Sequence, residues 1–226
     1  MTLRVLTWNL FHGRAVPPAG RPLLDEFAAL LAGWEWDVAL LQEVPPWWPP
    51  KLARATDADE RHVLTSRNSL LPLRRWVAER WPDLIRSDGG GSNAILVRGA
   101  AIDGHASARL RRRPEARWAH GVRLDTGVWV VNVHATVPKE DLEQRDVGLA
   151  LRLALGWSGD APLVFGGDLN QPSPRVPGLA HVAGHHVDHM FVRGFEAAGP
   201  AERLEHGELS DHIPLAVDLR SITSVP

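Results

Sequence analysis

Short apolar runs that stop abruptly at a polar residue set the rhythm of this chain. Leu3 to Trp8 is a β-rich run ending at Asn9, and Asp37 to Gln42 is a buried-strand pattern ending at Glu43. Asn93–Val97, Arg109, Val122–Leu124 and Val128–His134 read as successive strands. Leu163–Gly166, Val187–Val192 and Pro214–Leu219 follow in the same manner. Helical spacing places Leu23, Leu24, Phe27, Leu30 and Leu31 on one face over 21–34, and Leu71 to Trp81 is a second helix. Lys139 to Trp157 is the clearest helix, acidic in its first turn and leucine-rich afterwards. Between Val44 and Pro50 the prolines and paired tryptophans predict a loop. Strands outnumber helices and alternate with them irregularly, which favours an α/β sandwich over a doubly wound parallel sheet. The polar candidates run from Asn9 to His212 without a linker-like break, so a single domain over 1–226 is expected.

Composition narrows the chemistry. With 226 residues and an apolar fraction of 44%, the chain can bury a sizeable core. Zero cysteines exclude a disulfide framework, thiolate zinc sites and a cysteine nucleophile. Zero tyrosines exclude a phenol from any mechanism. The formal charge of −2 argues against a nucleic-acid coating protein. No apolar run approaches the ~18 residues of a membrane span. Met1 to Asn9 reads as a strand and not as a basic-then-apolar leader, so the expected compartment is the cytoplasm.

Polar residues at strand ends carry the candidate chemistry. Asp168 and Asn170, and likewise Asn132 and His134, are spaced by two and share a strand face. Carboxylates and carboxamides in such places are hard oxygen ligands for Mg²⁺ or Mn²⁺, and neighbouring histidines can move protons near neutral pH. Taken singly, each has a plainer reading. Glu43 is then a surface acid, Asp168 and Asn170 are turn formers, His134 is a strand histidine and Asp211 caps a turn.

Taken in order, Trp8-Asn9, Leu41-Gln42-Glu43, Asn132-Val133-His134, Gly167-Asp168-Leu169-Asn170, the Val-Asp-His-Met-Phe-Val run from 187 and Ser210-Asp211-His212 form a series. That series resembles the endonuclease/exonuclease/phosphatase superfamily, also called deoxyribonuclease-I-like, over nearly the whole chain. The resemblance implies an α/β (α+β) fold of two β-sheets packed face to face with helices outside, a four-layer sandwich. It implies hydrolysis of phosphate esters with a divalent metal, Mg²⁺ or Mn²⁺. By the same resemblance Glu43 is the principal metal ligand, with Asn9 and Asp211 beside it. Asp168 aligns or deprotonates the attacking water, and Asn170 holds the phosphate or that water. His212 faces the phosphate, Asp188 orients His212, and His134 is a second acid–base histidine. The missing tyrosine argues against the apurinic-site branch.

The expected activity is a metal-dependent phosphodiesterase of the nuclease type, its partner a phosphate ester such as nucleic acid, with no protein partner indicated. Two rivals stand beside it: a phosphomonoesterase or lipid-head-group phosphodiesterase, and a catalytically silent binding module. Four further features have both a functional and a structural reading. These are the arginines from Arg109 to Arg123, Trp47 with Trp48, the histidines 181, 185, 186 and 189, and Asn93.

Overall fold

The computed structural model describes residues 1–66, 68–113, 115–139 and 141–222. One mixed sheet is built from β1 (Thr2–Asn9), β2 (Val38–Val44), β3 (Asp59–Leu64), β4 (Ser92–Val97), β11 (Phe195–Ala197), β12 (Glu202–Arg203) and β13 (Leu215–Ser221). Its order is β11-β13-β1-β2-β4-β3, with β12 also pairing β13. The other contains β5 (Ile102–Arg111), β6 (Arg117–Leu124), β7 (Trp129–His134), β8 (Leu163–Asp168), β9 (Ala180–His185) and β10 (Asp188–Arg193), in the order β5-β6-β7-β8-β10-β9. In each sheet one parallel pair lies at the centre, β1 with β2 and β7 with β8. Consequently all four of these strands run toward their polar C-terminal residues in register: Asn9 opposite Gln42, His134 opposite Asp168.

Period-two alternation sorts the apolar residues into layers. Leu3, Val5, Val38 and Leu40 from one sheet meet Val130, Val164, Met190 and Val192 from the other in the core between the sheets. The intervening residues Leu6, Trp8, Ala39 and Leu41 face outward against α1 (Leu24–Gly33) and α2 (Pro49–Ala55), where Phe27, Leu31 and Leu52 cover them. On the far side Val131, Val133 and Phe165 pack against Val147, Leu151 and Ala154 of α5 (Leu142–Ser158). Helix, sheet, sheet, helix is the four-layer α/β sandwich that the resemblance implied. Two shorter helices, α3 (Leu71–Arg80) and α4 (Pro82–Ile85), lie in the connection before β4. No helix among the described residues is long and apolar enough to cross a membrane.

The structure departs from the sequence pattern in a few places. The predicted loop over 44–50 is shorter than expected, because Pro49 and Pro50 open α2. Proline is suited to a first helical turn, where its missing N–H is unneeded. The last helix begins at Leu142 instead of Lys139, after an Asp141 held at φ 58°. The strands β3, β9, β11 and β12 have no counterpart in the predicted pattern, and β5 extends far beyond Arg109.

Candidate active site

The rim where β1, β2, β7 and β8 end gathers the candidate residues. Asp168 is the hub. Its Oδ2 accepts a 2.9 Å hydrogen bond from Asn9 Nδ2, and its Oδ1 accepts one of 3.0 Å from the Asn170 backbone N–H. His134 Nε2 lies 3.5 Å and His212 Nε2 3.9 Å from the same Oδ2. On the other side of its ring His212 Nδ1 pairs with Asp188 Oδ2 at 2.7 Å. Asp188 in turn sits directly across the β8–β10 ladder from Asp168.

Local backbone explains how these side chains arrive. Gly167 has φ +127°, and a Cβ there would fall 2.1 Å from the Val133 carbonyl and 2.9 Å from Asn132 Oδ1. Glycine is therefore required one residue before Asp168, where β8 passes tightly over β7. Opposite, the β2–β4 ladder slips between Leu41 and Val44, so Gln42 and Glu43 both face the single Asn93. This is a β-bulge, and it turns Glu43 (φ 50°) out of the sheet. Asn170 (φ 52°) and Ser210 (φ 67°) share the left-handed conformation that non-glycine residues rarely adopt. Such strain collects at functional sites. Ser210 is buried, donates to the Asn9 carbonyl at 2.6 Å and accepts from the His212 N–H at 3.1 Å. It thus ties the loop before β13 to the end of β1.

Burial and neighbouring charge set the protonation states. Asp168 is fully enclosed, and burial followed by the charge of Asp188 pushes its pKa up to about 7, against the pull of His212, Asn9 and Asn170. For His212 burial opposes the charged form. The hydrogen bond and charge of Asp188, added to the charges of Asp168 and Asp211, outweigh it and push the pKa up to about 9. His134 goes the other way: burial, then Arg117, His212 and His12, hold it well below the ordinary histidine value. At neutral pH His212 is the protonated imidazole and His134 the neutral one.

Glu43 stands across His134 from Asp168. Its Oε1 is 3.8 Å from His134 Nε2 and its Oε2 is 3.2 Å from His12 Nε2. Asp211 is half exposed and lies 3.9 Å from His212 Nε2. The set of three whose ligand atoms converge within 4.8 Å is Asp168, Asp188 and His212. Its two carboxylates, with the Asn9 carboxamide nearby, suit a hard divalent cation, whereas His212 in its protonated form offers no lone pair to one. One observation supports the fit directly. Asp188 Oδ1 is buried with no hydrogen-bond partner, which is costly for a carboxylate oxygen unless a cation or water serves it.

One contributor was not marked by the sequence, and a second was marked only as one of the clustered arginines. His12 reaches Glu43 from a 3-10 turn over Phe11–Gly13, and Arg117, at the start of β6, lies against His134. Arg117 Nη1 is 2.9 and 3.0 Å from the two ring nitrogens of His134, and its Nη2 pairs with Glu115 at 2.7 Å. Arg117 belongs to the arginine cluster, yet only the fold reveals that it is buried. The other clustered arginines are largely engaged elsewhere: Arg111 with buried Asp146, Arg123 with Asp103, and Arg109 over the Trp118 ring. Trp48 is a core residue packed 5.5 Å from Phe27, with Trp47 half-buried beside it. His181 and His189 share a 3.1 Å contact, and His189 also donates to the Gln171 carbonyl at 2.9 Å. The cluster forms no convergent set of three ligands among the described residues.

Among known proteins, the sequence model described as the Endonuclease/Exonuclease/phosphatase family matches residues 6–212. No curated protein matches the sequence. Of solved structures, the endonuclease/exonuclease/phosphatase from Beutenbergia cavernae superposes with a TM-score of 0.73 at 22% identity, covering 97% of this chain and 72% of that one. A mannosyl-6-phosphatase of Bacteroides thetaiotaomicron gives 0.73 at 15% identity, covering 96% and 99%. A truncated TDP2 of Caenorhabditis elegans gives 0.66 at 16%, covering 97% of each chain. These structures share the fold. The family match spans most of the chain and includes the whole series from Trp8-Asn9 to Ser210-Asp211-His212, and the chain therefore belongs to the endonuclease/exonuclease/phosphatase family of phosphoester hydrolases.

Proposed function

We propose that the protein is a divalent-metal-dependent phosphodiesterase that cleaves its ester by in-line attack of a water. The observation that carries this reading is the Asp188–His212 pair at 2.7 Å, set beside a buried Asp168 whose two oxygens are oriented by Asn9 and Asn170. Asp168 is held in place by two donors and has a raised pKa, which makes it an effective acceptor for the proton of an attacking water. His212, kept protonated by Asp188, presents an N–H about where negative charge grows on the phosphoryl oxygens or the leaving group. His134 stays neutral and bridges the Glu43 and Asp168 sides of the cleft. Asn170 anchors the turn after β8, its Nδ2 donating to the Ala135 carbonyl at 2.9 Å.

Glu43, with Asn9 and Asp211 as companions, is the proposed seat of the divalent ion, and the unpartnered Asp188 oxygen offers a further hard donor. Such an ion supplies Lewis-acid polarisation of a phosphoryl oxygen.

A phosphomonoester is the alternative substrate, favoured by the structural likeness to a mannosyl-6-phosphatase. Nicking of supercoiled plasmid with Mg²⁺, with EDTA and with an Asp168→Ala variant tests the main reading. Nicking that EDTA and the variant both abolish is expected. Absence of nicking by folded protein, with turnover of p-nitrophenyl phosphate in its place, would transfer the assignment to the monoester.

A further inference from the structure

A cavity of about 280 Å³ opens at Glu43 and His134, which line it together with Glu115 and His12, and arginines outnumber carboxylates in its lining. Three guanidinium groups, of Arg14, Arg86 and Arg117, face it together with the hydroxyl-bearing Thr65, Ser66 and Ser87. We propose that this cavity holds a second phosphate of the substrate, next to the ester being cleaved, with Arg14 and Arg86 as its specificity-determining residues. The inference rests on the phosphodiesterase reading and adds the chemical class of substrate to it.

The arginines differ in how far the protein already uses them. Arg117 is committed to Glu115 and His134, although its buried Nε has no partner. Arg14 is nearly enclosed over the Phe11 ring at 4.4 Å. Among the described residues its one ionic neighbour is Asp83, 3.6 Å from a buried Nε that makes no hydrogen bond there. Arg86 donates through Nε to the Asp83 carbonyl at 3.3 Å. Among the described residues, the terminal nitrogens of Arg14 and Arg86 have no hydrogen-bond acceptor. A largely enclosed Arg14 guanidinium and an exposed Arg86 at the mouth, both without acceptors, suit an oxyanion, which offers several lone pairs in a fork-matching geometry.

The walls are also preassembled. The Ala116 N–H donates to Ser66 Oγ at 2.5 Å, and the Thr65 N–H donates to the Gly91 carbonyl at 2.9 Å. A Cβ on Gly91 would approach Thr65 Oγ1 to 2.8 Å and His12 to 3.6 Å, so glycine permits the close passage of these walls. A site that needs little ordering gives up less binding energy to entropy.

Two measurements test the assignment. Titration calorimetry with inorganic pyrophosphate in EDTA probes the free anion without any turnover. The wild type is expected to bind at one site, and an Arg14→Ala/Arg86→Ala variant at least tenfold more weakly. Absent binding, or equal binding by both proteins, would overturn the proposal. The second measurement uses the p-nitrophenyl ester of thymidine 5′-monophosphate with and without a 3′-phosphate, so that the anion is part of the substrate. A wild-type preference of tenfold or more in kcat/KM for the 3′-phosphorylated ester is expected. It should collapse toward one in the double alanine variant and persist in Arg14→Lys/Arg86→Lys, which keeps the charge. A preference unchanged by the alanines would also overturn it. If pyrophosphate binds as expected but neither ester is hydrolysed, the phosphodiesterase reading fails and the phosphate pocket stands.

Discussion

The two walls of the cleft are built on opposite plans. On the acid wall, Asp168, Asp188 and His212 belong to regular strands or to the tight turn before β13. Apart from Asp188 Oδ1, the side-chain polar atoms of that wall are matched by donors or acceptors fixed by strand register or by the turn before β13. On the arginine wall, only Arg117 comes from a strand; the other side chains come from the 3-10 turn and Arg14 just after it, from Thr65 and Ser66 after β3 and from the segment around Arg86. Their guanidinium groups keep unused donors. The first wall has a geometry that chemistry can rely on, and the second has capacity left for a ligand. On the proposed reading, rate rests mainly on strands and selectivity mainly on loops, a common division because loops can vary while the scaffold holds.

The sharpest way to probe that division is Asp168→Ala. It should lower kcat by about 10³-fold or more on every ester alike, the scale expected when an acid–base group is lost together with the groups it organises. Steady-state rates on both thymidine esters check this. A loss confined to one ester would mean that the acid wall also selects. Next comes Gly167→Ala. The new methyl would meet the Val133 carbonyl and the Asn132–Gln42 pair, at a φ that alanine resists. A stability loss of about 2–4 kcal/mol is expected in urea denaturation, the range for core strain of this kind. Pyrophosphate binding by the remaining folded fraction should be spared.

A smaller effect concerns His120, buried on β6 behind the site with His105 and, from the other sheet, His62 as its charged neighbours. Burial first, then those two histidines, lowers its pKa to about 3. Between its ordinary value near 6.5 and about 3, the unfolded chain binds a proton that the folded chain refuses. This contribution to stability is therefore complete above about 6.5 and is lost as pH falls through that window, at up to about 1.4 kcal/mol per pH unit. Denaturation midpoints of wild type and His120→Phe between pH 4 and 7 should diverge accordingly; parallel curves would refute it. The least effect is expected from Arg123→Ala. Its pair with Asp103 is half exposed on both sides, and a change below about 0.5 kcal/mol is expected by thermal or urea denaturation.

These contrasts also mark what could be read in the chain beforehand. The central strands and all of the acid wall were legible, because a buried strand must be an apolar run and a residue that ends one is conspicuous. Asn9, Glu43, His134 and Asp168 were visible for that reason, whereas Asp188, which opens β10, was marked by the resemblance carried by the Val-Asp-His run. Of the strands that escaped, β3, β9 and β11 are sheet edges, β12 is a two-residue strand paired to β13, and the unread length of β5 is also an edge. Sequences such as Asp59-Glu60-Arg61-His62 or Gly104-His105-Ala106-Ser107 need bury only one side and so carry little apolar signal. Arg14, Arg86 and His12 were invisible for a different reason. They lie in irregular backbone, where no periodicity tells an inward guanidinium from a solvated one. Ser210-Asp211-His212 was found by its motif, yet Ser210's task as a clasp between β1 and β13 shows only in its hydrogen bonds.

The buried amide pair between the sheets has a mechanical meaning. Gln42 Nε2 donates to Asn132 Oδ1 at 2.8 Å across the sandwich, and Asn132 Nδ2 reaches the Leu41 and Ala94 carbonyls at 2.9 Å each. Apolar faces attract without direction, so two greasy sheets alone tolerate small offsets along one another. An amide bond tolerates almost none, since its energy falls steeply with angle and distance. The pair acts as a dowel: it fixes the sliding coordinate of one sheet against the other, one residue short of Glu43 and two short of His134. A centre drawn half from each sheet is thus held in line by a directional bond, though no covalent link joins its halves at that point.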